Sequence, residues 1–301
     1  MAKAMTAHPL GGLERAKRRA GLLFAAPAVL HFLIFTSIPV FAAIGLSFTN
    51  YSPLGGGHWI GLGNYVKMAS DRVFWIAVKN TTVYSVWTVP LCIAIALGMA
   101  IAVNEGIRAK AFYRVAFYMP QVTATVVIAV VWMFIYNEQF GMLNFLLEKL
   151  GLHGKNWLSD QNWALPSVIG MAVWRGVGQK MIIYLAALQG IPDYLYEAAR
   201  IDGANSWQMF RRVTVPLLAP ATFFITVTAL IESFQVFESI YVMTQGGPVN
   251  ATTTIGHQIY QQAFEFTKMG YASAEAVFLA VVIFIITLIN MKYVKGEVDY
   301  V

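Results

Sequence analysis

Long apolar segments recur along the chain and are separated by short polar stretches. Charged side chains are absent from three long intervals, which run from Arg19 to Lys67, from Lys79 to Glu105 and from Arg114 to Glu138. A helix needs about 20 predominantly apolar residues to cross the hydrocarbon core of a bilayer. Each interval is long enough for this, so the pattern predicts membrane-spanning helices.

The apolar runs and the charges that flank them predict an all-α membrane protein, a bundle of six transmembrane helices. The six predicted spans are 21–48, 81–103, 114–136, 166–189, 217–243 and 271–293. The first run is longer than the 7–15 residues, roughly, of a signal-peptide core, so we interpret it as an uncleaved span. The sequence thus divides into a tail at 1–20, a membrane domain at 21–293 and a tail at 294–301.

Composition and charge agree with this interpretation. Only 12% of the residues are charged and 58% are apolar, whereas soluble domains average about a quarter charged. The net charge of +6 does not indicate nucleic-acid binding, because the basic residues lie at the ends of the apolar runs. With six spans, 13 Lys and Arg fall on the side of the two termini and 6 on the other side. This bias predicts that both termini are cytoplasmic.

Three longer loops, 49–80, 137–165 and 244–270, are then predicted to lie outside the cell membrane. Loop 137–165 contains a short apolar-striped piece, Leu143 to Leu150. Loop 244–270 opens with Gly246, Gly247 and Pro248, which cannot continue a helix, and the piece from Ile255 to Phe266 is a candidate interfacial helix. The loops either pack and anchor the bundle or form a docking surface for an external partner.

The polar segment 190–216, between the fourth and fifth spans, predicts a helix, a turn and a second short helix. Asp193 is the expected N-cap of the first helix, and Gly203 is the expected left-handed residue after its end. Ser206 is expected to cap the second helix, and Pro216 to mark the start of the fifth span. An amphipathic linker on the membrane surface is the alternative interpretation.

Catalytic chemistry finds little support in the sequence. No G-x-x-x-x-G-K-[ST] phosphate-binding motif is present, so the chain is not expected to hydrolyse ATP by that route. The single cysteine, Cys92, lies in an apolar run, and the five histidines are scattered. We therefore predict no catalytic residue, no metal site and no cofactor in this chain.

A family resemblance rests on the segment Glu197-Ala198-Ala199, followed by Asp202-Gly203-Ala204 and then by Pro216. This pattern resembles the EAA loop of ABC importer permeases. The similarity extends along nearly all of the chain and is closest to the six-span carbohydrate-uptake branch, the MalF/LacF/UgpA-like inner membrane components of binding-protein-dependent transport. Further matching residues are Phe112-Tyr113-Arg114, Pro120, Trp174, Gly176, Ser233-Phe234 and Gly246-Gly247-Pro248.

The resemblance implies a heteromeric importer for a sugar or sugar-like solute in a bacterial plasma (inner) membrane. It implies a second permease subunit, two ATP-binding subunits that hold ATP and Mg²⁺, and an extracytoplasmic solute-binding protein. The residues that match the ATPase-coupling motif are Glu197, Ala198, Ala199, Asp202, Gly203 and Ala204. A permease for glycerol phosphate or a polyol is an alternative, and a secondary transporter is a rival from another class.

Polar residues inside spans are costly and therefore predict the solute pathway. Arg175 and Gln179 are four residues apart, and Glu232 and Gln235 are three apart, so each pair shares a helical face. Two alternatives stay open: Arg175 could simply pair with Glu232 or Glu238, and the aromatic residues could serve packing alone. The candidate pathway residues are Gln121, Trp174, Arg175, Gly176, Gln179, Glu232, Ser233, Gln235 and Phe237.

Overall fold

A computed structural model describes residues 12–104 and 110–294, and the predicted tails lie largely outside these ranges. Within them the chain is α-helical and contains no β-strand. Residues 12–20, predicted as a tail, already belong to the first helix. The helices are α1 (Gly12–Phe32), α2 (Ile38–Leu46), α3 (Gly63–Ser70), α4 (Arg72–Asn104), α5 (Lys110–Val122), α6 (Thr125–Ile135), α7 (Met142–Lys149), α8 (Ala164–Gln189), α9 (Asp193–Ile201), α10 (Ser206–Met209), α11 (Val215–Leu217), α12 (Ala219–Phe234), α13 (Glu238–Met243), α14 (Ile255–Tyr260) and α15 (Met269–Val294). Short π-helical turns at Leu33–Ser37, Phe210–Thr214 and Gln261–Glu265 connect or extend some of them.

Three stretches in the described ranges are long and apolar enough to cross a membrane: Arg19–Leu46, Arg72–Asn104 and Met269–Lys292. Two bent pairs, α5 with α6 and the segment α10–α11 with α12, raise this number to five if each pair is one span. The remaining predicted span corresponds to α8, whose 26 residues suffice in length. It is not apolar enough by composition, because Arg175 and Lys180 lie in its middle.

The second predicted span is longer than the sequence indicated. We expected it to begin at residue 81, but α4 begins at Arg72. The carboxylate of Asp71 explains the early start, since its Oδ1 accepts hydrogen bonds from the backbone N–H of Val73 (2.9 Å) and Phe74 (3.3 Å). Such capping satisfies donors that have no partner within the helix. The charged residues that suggested a loop therefore belong to a helix.

The core lies between α4 and α8, which pack along each other and bury small and medium apolar side chains. Ala96 and Ala100 of α4 and Met181 of α8 are fully buried. Helix α5 crosses α8 at Gly178, where a Cβ atom would overlap the carbonyl oxygen of Phe117. This approach leaves no room for any side chain at that position, so Gly178 fixes the distance between the two helices.

The third and fifth predicted spans are broken helices, which the sequence analysis did not predict. Helices α5 and α6 meet at 99°. Pro120 lies in the last turn of α5, and Ala124 adopts a non-helical conformation just beyond it. Within the fifth predicted span, α12 ends at Phe234, the residues that follow are irregular, and the chain becomes helical again in α13. Non-helical backbone at membrane depth is tolerated where protein covers it or where it lines a cavity.

The contacts at the two ends of α4 show which segments lie at opposite ends of the bundle. Near one end, Asn80 Nδ2 donates to the backbone oxygens of Asn250 (2.9 Å) and Thr253 (3.0 Å). Near the other end, Ile101 and Asn104 lie beside the segment 190–216. The distance from Asn80 to Ile101 along the helix is about 30 Å at about 1.5 Å per residue, which matches the thickness of a bilayer core. The 244–270 loop and the segment 190–216 therefore lie at opposite ends of the bundle.

Candidate functional site

A cavity of about 430 Å³ opens between α4, α5, α6, α8 and the broken fifth span. Its walls mix apolar, hydroxyl, amide and charged groups. The lining residues are Tyr84, Thr88, Val89, Cys92, Gln121, Thr125, Met171, Ala172, Arg175, Gly176, Lys180, Ala229, Glu232, Ser233, Gln235, Val236, Phe237, Glu238 and Ser239. Polar groups of this variety at membrane depth, arranged around one space, can exchange hydrogen bonds with a polar solute.

Seven of the nine predicted pathway residues line this cavity, namely Gln121, Arg175, Gly176, Glu232, Ser233, Gln235 and Phe237. The other two, Trp174 and Gln179, do not line it. Gln179 accepts a hydrogen bond from Gln121 Nε2 at 3.0 Å, which orients the Gln121 amide. Trp174 is 48% exposed and its ring meets that of Trp132 edge-on at 5.6 Å.

The ion pair in the cavity is formed by Lys180 and not by Arg175. A pairing of Arg175 with Glu232 or Glu238 was one of the alternatives left open by the sequence; in the structure Lys180 Nζ contacts Glu232 Oε2 at 3.3 Å. The Lys180 side chain is 7% exposed and the Glu232 side chain 54%. The buried Nε atom of Arg175 has no hydrogen-bond partner among the described residues. Arg175 therefore adds a second cation to the cavity wall beside Lys180.

The break in the fifth span brings Gln235 and Phe237 to the cavity. The freed carbonyl oxygen of Val236 accepts a hydrogen bond from Thr254 Oγ1 at 2.9 Å. Gly256 also lies against this carbonyl, and a Cβ atom there would be only 2.8 Å from the oxygen. The start of α14 therefore holds the irregular backbone in place.

The piece from Ile255 to Phe266, a candidate helix from the sequence, is helical as far as Glu265, through α14 and the π-helical turn that follows. Unlike a simple interfacial helix, it buries polar side chains, including those of His257, Gln258 and Gln262. Several lining residues were not predicted from the sequence. Tyr84, Thr88 and Cys92 of α4 recur every four residues and face the cavity together. Their spacing of four residues could have identified them from the sequence as one face of a helix.

The segment 190–216 forms α9, a turn and α10, as predicted. Gly203 adopts a left-handed conformation with φ of +78°, and Ala204 N–H donates to the carbonyl of Ala199 at 2.9 Å. Two cap assignments were off by one residue. Asp193 is the first residue of α9 and Pro192 its cap. Asn205, rather than Ser206, caps α10 through a reciprocal capping box with Gln208.

The segment 190–216 exposes large apolar side chains on its outer surface. Tyr194, Ile201 and Trp207 are 65%, 86% and 66% exposed. The coupling-motif residues Glu197, Ala198, Asp202 and Gly203 are exposed too, and Ala199 and Ala204 are half-buried. A second cavity of about 660 Å³ separates α9 and α10 from the ends of α4 and α8. Exposed apolar side chains beside small residues are typical of a surface that another protein covers.

These features define a membrane-embedded transport permease: an apolar helical bundle with a polar internal cavity and a protruding helical segment at one end. The chain belongs to the family of binding-protein-dependent transport system inner membrane components, which matches residues 94–295. Members of this family are transport permeases of the inner membrane and not enzymes.

Individual proteins resemble the chain over nearly its whole length. The probable ABC transporter permease protein YesP of Bacillus subtilis (strain 168) is 37% identical, over 93% of this chain and 92% of that protein. The arabinooligosaccharides transport system permease protein AraP of the same organism is 33% identical, over 98% of both. A crystal structure of a bacterial ABC transporter involved in the import of the acidic polysaccharide alginate contains a chain with 28% identity and a TM-score of 0.82, which covers 95% of this chain and 99% of that one.

Proposed function

We propose that the chain is the permease subunit of an ATP-driven importer and that, with a second permease, it forms the pathway for a neutral sugar or oligosaccharide. An extracytoplasmic binding protein delivers the solute, and two ATP-binding subunits power the transport. Family membership supports the importer. The observation that carries the solute assignment is the polar cavity between α4, α8 and the broken fifth span.

The charges around the cavity support a neutral solute. Two cations, Arg175 and Lys180, face two acids, Glu232 and Glu238. Because Lys180 is already paired with Glu232, the cavity offers little net charge to an anion. The many hydroxyl and amide groups suit the hydroxyls of a sugar. A glycerol phosphate would need more positive charge than these residues supply, so we rank it second; a secondary transporter would give the segment 190–216 no role.

The ATP-binding subunits are proposed to grip the segment 190–216. Its exposed apolar side chains and the motif residues Glu197 to Ala199 form the contact, and the turn at Gly203 keeps α9 and α10 in a fixed relation. A stiff segment can transmit displacement between two discrete arrangements of the bundle. ATP and Mg²⁺ would be bound by those subunits, and this chain would contribute no catalytic group.

The second permease is proposed from the one-sided shape of the bundle. The first span, Arg19–Leu46, has no buried residue across its most apolar window. Its second half, α2, packs against α15. A second permease would cover α1 and complete the cavity wall. The excess of Lys and Arg on the side of the segment 190–216 supports cytoplasmic termini.

Purification from native membranes and an uptake assay test this function. The affinity-tagged chain should copurify with an ATP-binding subunit and a second permease. With these partners and the binding protein in proteoliposomes, it should import arabinotriose when ATP is present. An alginate trisaccharide and sn-glycerol 3-phosphate, both anionic, should enter much more slowly. Solute accumulation without any ATP-binding subunit would refute the importer, and preferential uptake of the anions would refute the neutral solute.

A further inference from the structure

Four aromatic side chains form a continuous row from the cavity to the surface. The row, here called the aromatic ladder, consists of Phe237, Tyr241, Tyr260 and Phe264. Ring centroids are 4.9 Å apart for Phe237 and Tyr260, 5.0 Å for Tyr241 and Tyr260, and 5.3 Å for Tyr260 and Phe264. Phe237 also lines the cavity. The ladder therefore connects the interior site with the loop at the end of the bundle opposite the segment 190–216.

The local structure places the four rings together. Phe237 is the residue just before α13, and Tyr241 lies in α13. Tyr260 is the last residue of α14, and Phe264 lies in the π-helical turn that follows. Each pair is four residues apart, so each shares one helical face. Gly256 allows α14 to approach, because a Cβ atom there would lie only 2.8 Å from the carbonyl oxygen of Val236, the residue before Phe237. Interaction with the Tyr241 side chain raises the pKa of Tyr260 above its ordinary value.

Exposure is greatest at Phe264, which contacts only Tyr260 within the ladder. Phe237 and Tyr260 are half-buried, whereas Tyr241 is 40% and Phe264 64% exposed. A row of rings that served only to fill the core would not include a ring as exposed as that of Phe264. The outermost ring thus has a free face that a ligand can cover.

The surroundings of the ladder indicate a watery surface. Glu238 follows Phe237 directly and is exposed. Glu265 follows Phe264, is exposed and accepts a hydrogen bond from Gln261 Nε2 at 3.3 Å. Acidic side chains are costly against lipid chains. Exposed rings beside carboxylates and amides therefore fit an amphipathic ligand better than an acyl chain.

We propose that the aromatic ladder is a stacking track on which sugar rings pass from the outer face into the cavity. The negative faces of aromatic rings attract weakly positive hydrogen atoms, such as those on the C–H face of a pyranose or furanose. The neighbouring acids and amides accept hydrogen bonds from sugar hydroxyls. Successive weak contacts would let the sugar move instead of holding it. This inference rests on the proposed sugar-import function.

The experiment measures arabinotriose imported per ATP hydrolysed in proteoliposomes that hold the complete transporter and its binding protein. Phe264→Ala and Tyr260→Ala should each lower this ratio about three- to tenfold, the size expected for losing one aromatic contact. ATP hydrolysis stimulated by the loaded binding protein should stay near the wild-type rate. Phe264→Trp, which keeps an aromatic face, should keep the ratio near the wild-type value. Phe264→Leu, which keeps only apolar bulk, should lower the ratio as Phe264→Ala does.

Phe266→Ala is the matched control, because Phe266 is 52% exposed and only two residues from Phe264, yet lies off the ladder. An unchanged ratio in Phe266→Ala is required. The ladder is refuted if Phe264→Leu transports normally, or if loss of ladder rings prevents copurification of the second permease, since the rings would then be an interface. If the wild type imports neither arabinotriose nor any other neutral oligosaccharide tested, the proposed solute class is wrong; if it imports one and the ladder variants match it, only the ladder is wrong.

Discussion

Lys180 and Glu232 join the fourth and fifth spans through a single ion pair, with Nζ and Oε2 3.3 Å apart. The pair is asymmetric, because the lysine is almost fully buried and the glutamate is half-exposed. A buried ammonium without a counter-ion is strongly disfavoured, whereas an exposed carboxylate remains hydrated. The pair thus neutralises a cation that helix packing has already buried.

Glu232→Gln should destabilise the protein by removing the counter-ion of Lys180. We expect a loss of about 1–3 kcal/mol, the cost of leaving a buried polar group unsatisfied, read as a lower denaturation midpoint of the detergent-solubilised complex. Glu238→Gln, which neutralises an exposed acid in the same cavity, is the control and should have little effect. Adding Lys180→Met to Glu232→Gln should recover stability; equal midpoints for wild type and Glu232→Gln would contradict the proposed role.

Gly178→Ala should separate α5 from α8. Its Cβ would overlap the Phe117 carbonyl oxygen, so the backbone of one helix must move. Overpacking of this kind costs about 1–3 kcal/mol or more, and we expect reduced membrane abundance together with reduced uptake. Gly176→Ala is the matched control for membrane abundance, because its Cβ meets only Cys92 Sγ and Lys180 Nζ, both at 3.5 Å; uptake is not compared between the two variants, since Gly176 lines the cavity. Comparable loss in both variants would show that the close crossing is not the cause.

The sequence located most helices but not their breaks. Helix α8 was predicted at 166–189 and observed at Ala164–Gln189, since a long run with polar flanks defines a helix well. The bend between α5 and α6 was missed because it depends on Ala124, a residue with no turn preference. The start of α4 was missed because its charges were interpreted as a loop.

The pairing of Lys180 instead of Arg175 depends on the rotation of α8 against the fifth span, and a single sequence does not contain that rotation. Arg175 was recognised as a polar group within a span, and seven of the nine residues predicted by the same reasoning line the cavity. The partners of each charge required the packed structure. The aromatic ladder was missed for a similar reason, because Phe237 and Phe264 are far apart in the sequence and meet through Tyr260.

His257 should make stability depend on pH. Burial lowers its pKa below the ordinary value of 6.5, although Glu265 acts weakly in the opposite direction. The unfolded chain therefore takes up a proton at a higher pH than the folded protein does, and the stability of the folded state decreases as the pH falls through 6.5. The denaturation midpoint should drop between pH 7 and pH 5, and His257→Gln should reduce this drop. His58→Gln, at an exposed histidine, should leave it unchanged; an identical pH profile for wild type and His257→Gln would rule out the assignment.

Gly203→Val should abolish uptake while the protein still reaches the membrane. At φ of +78° a β-branched residue is strained, by about 1–2 kcal/mol for a left-handed conformation. No atom lies within 4 Å of the position that a Cβ would occupy, so the effect would come from the backbone turn alone and would leave the spans intact. Asn, which tolerates positive φ, is the matched control.

Measuring uptake, membrane abundance and copurification of the ATP-binding subunit together separates the possible causes. Gly203→Asn should keep most of the uptake, and Gly203→Val should lose the ATP-binding subunit or its effect on transport. Because the turn sets the relation between α9 and α10, a strained turn would misplace the exposed side chains of Ile201 and Trp207. Full uptake by Gly203→Val would mean that the segment 190–216 need not be stiff, and the proposed transmission of force through it would have to be abandoned.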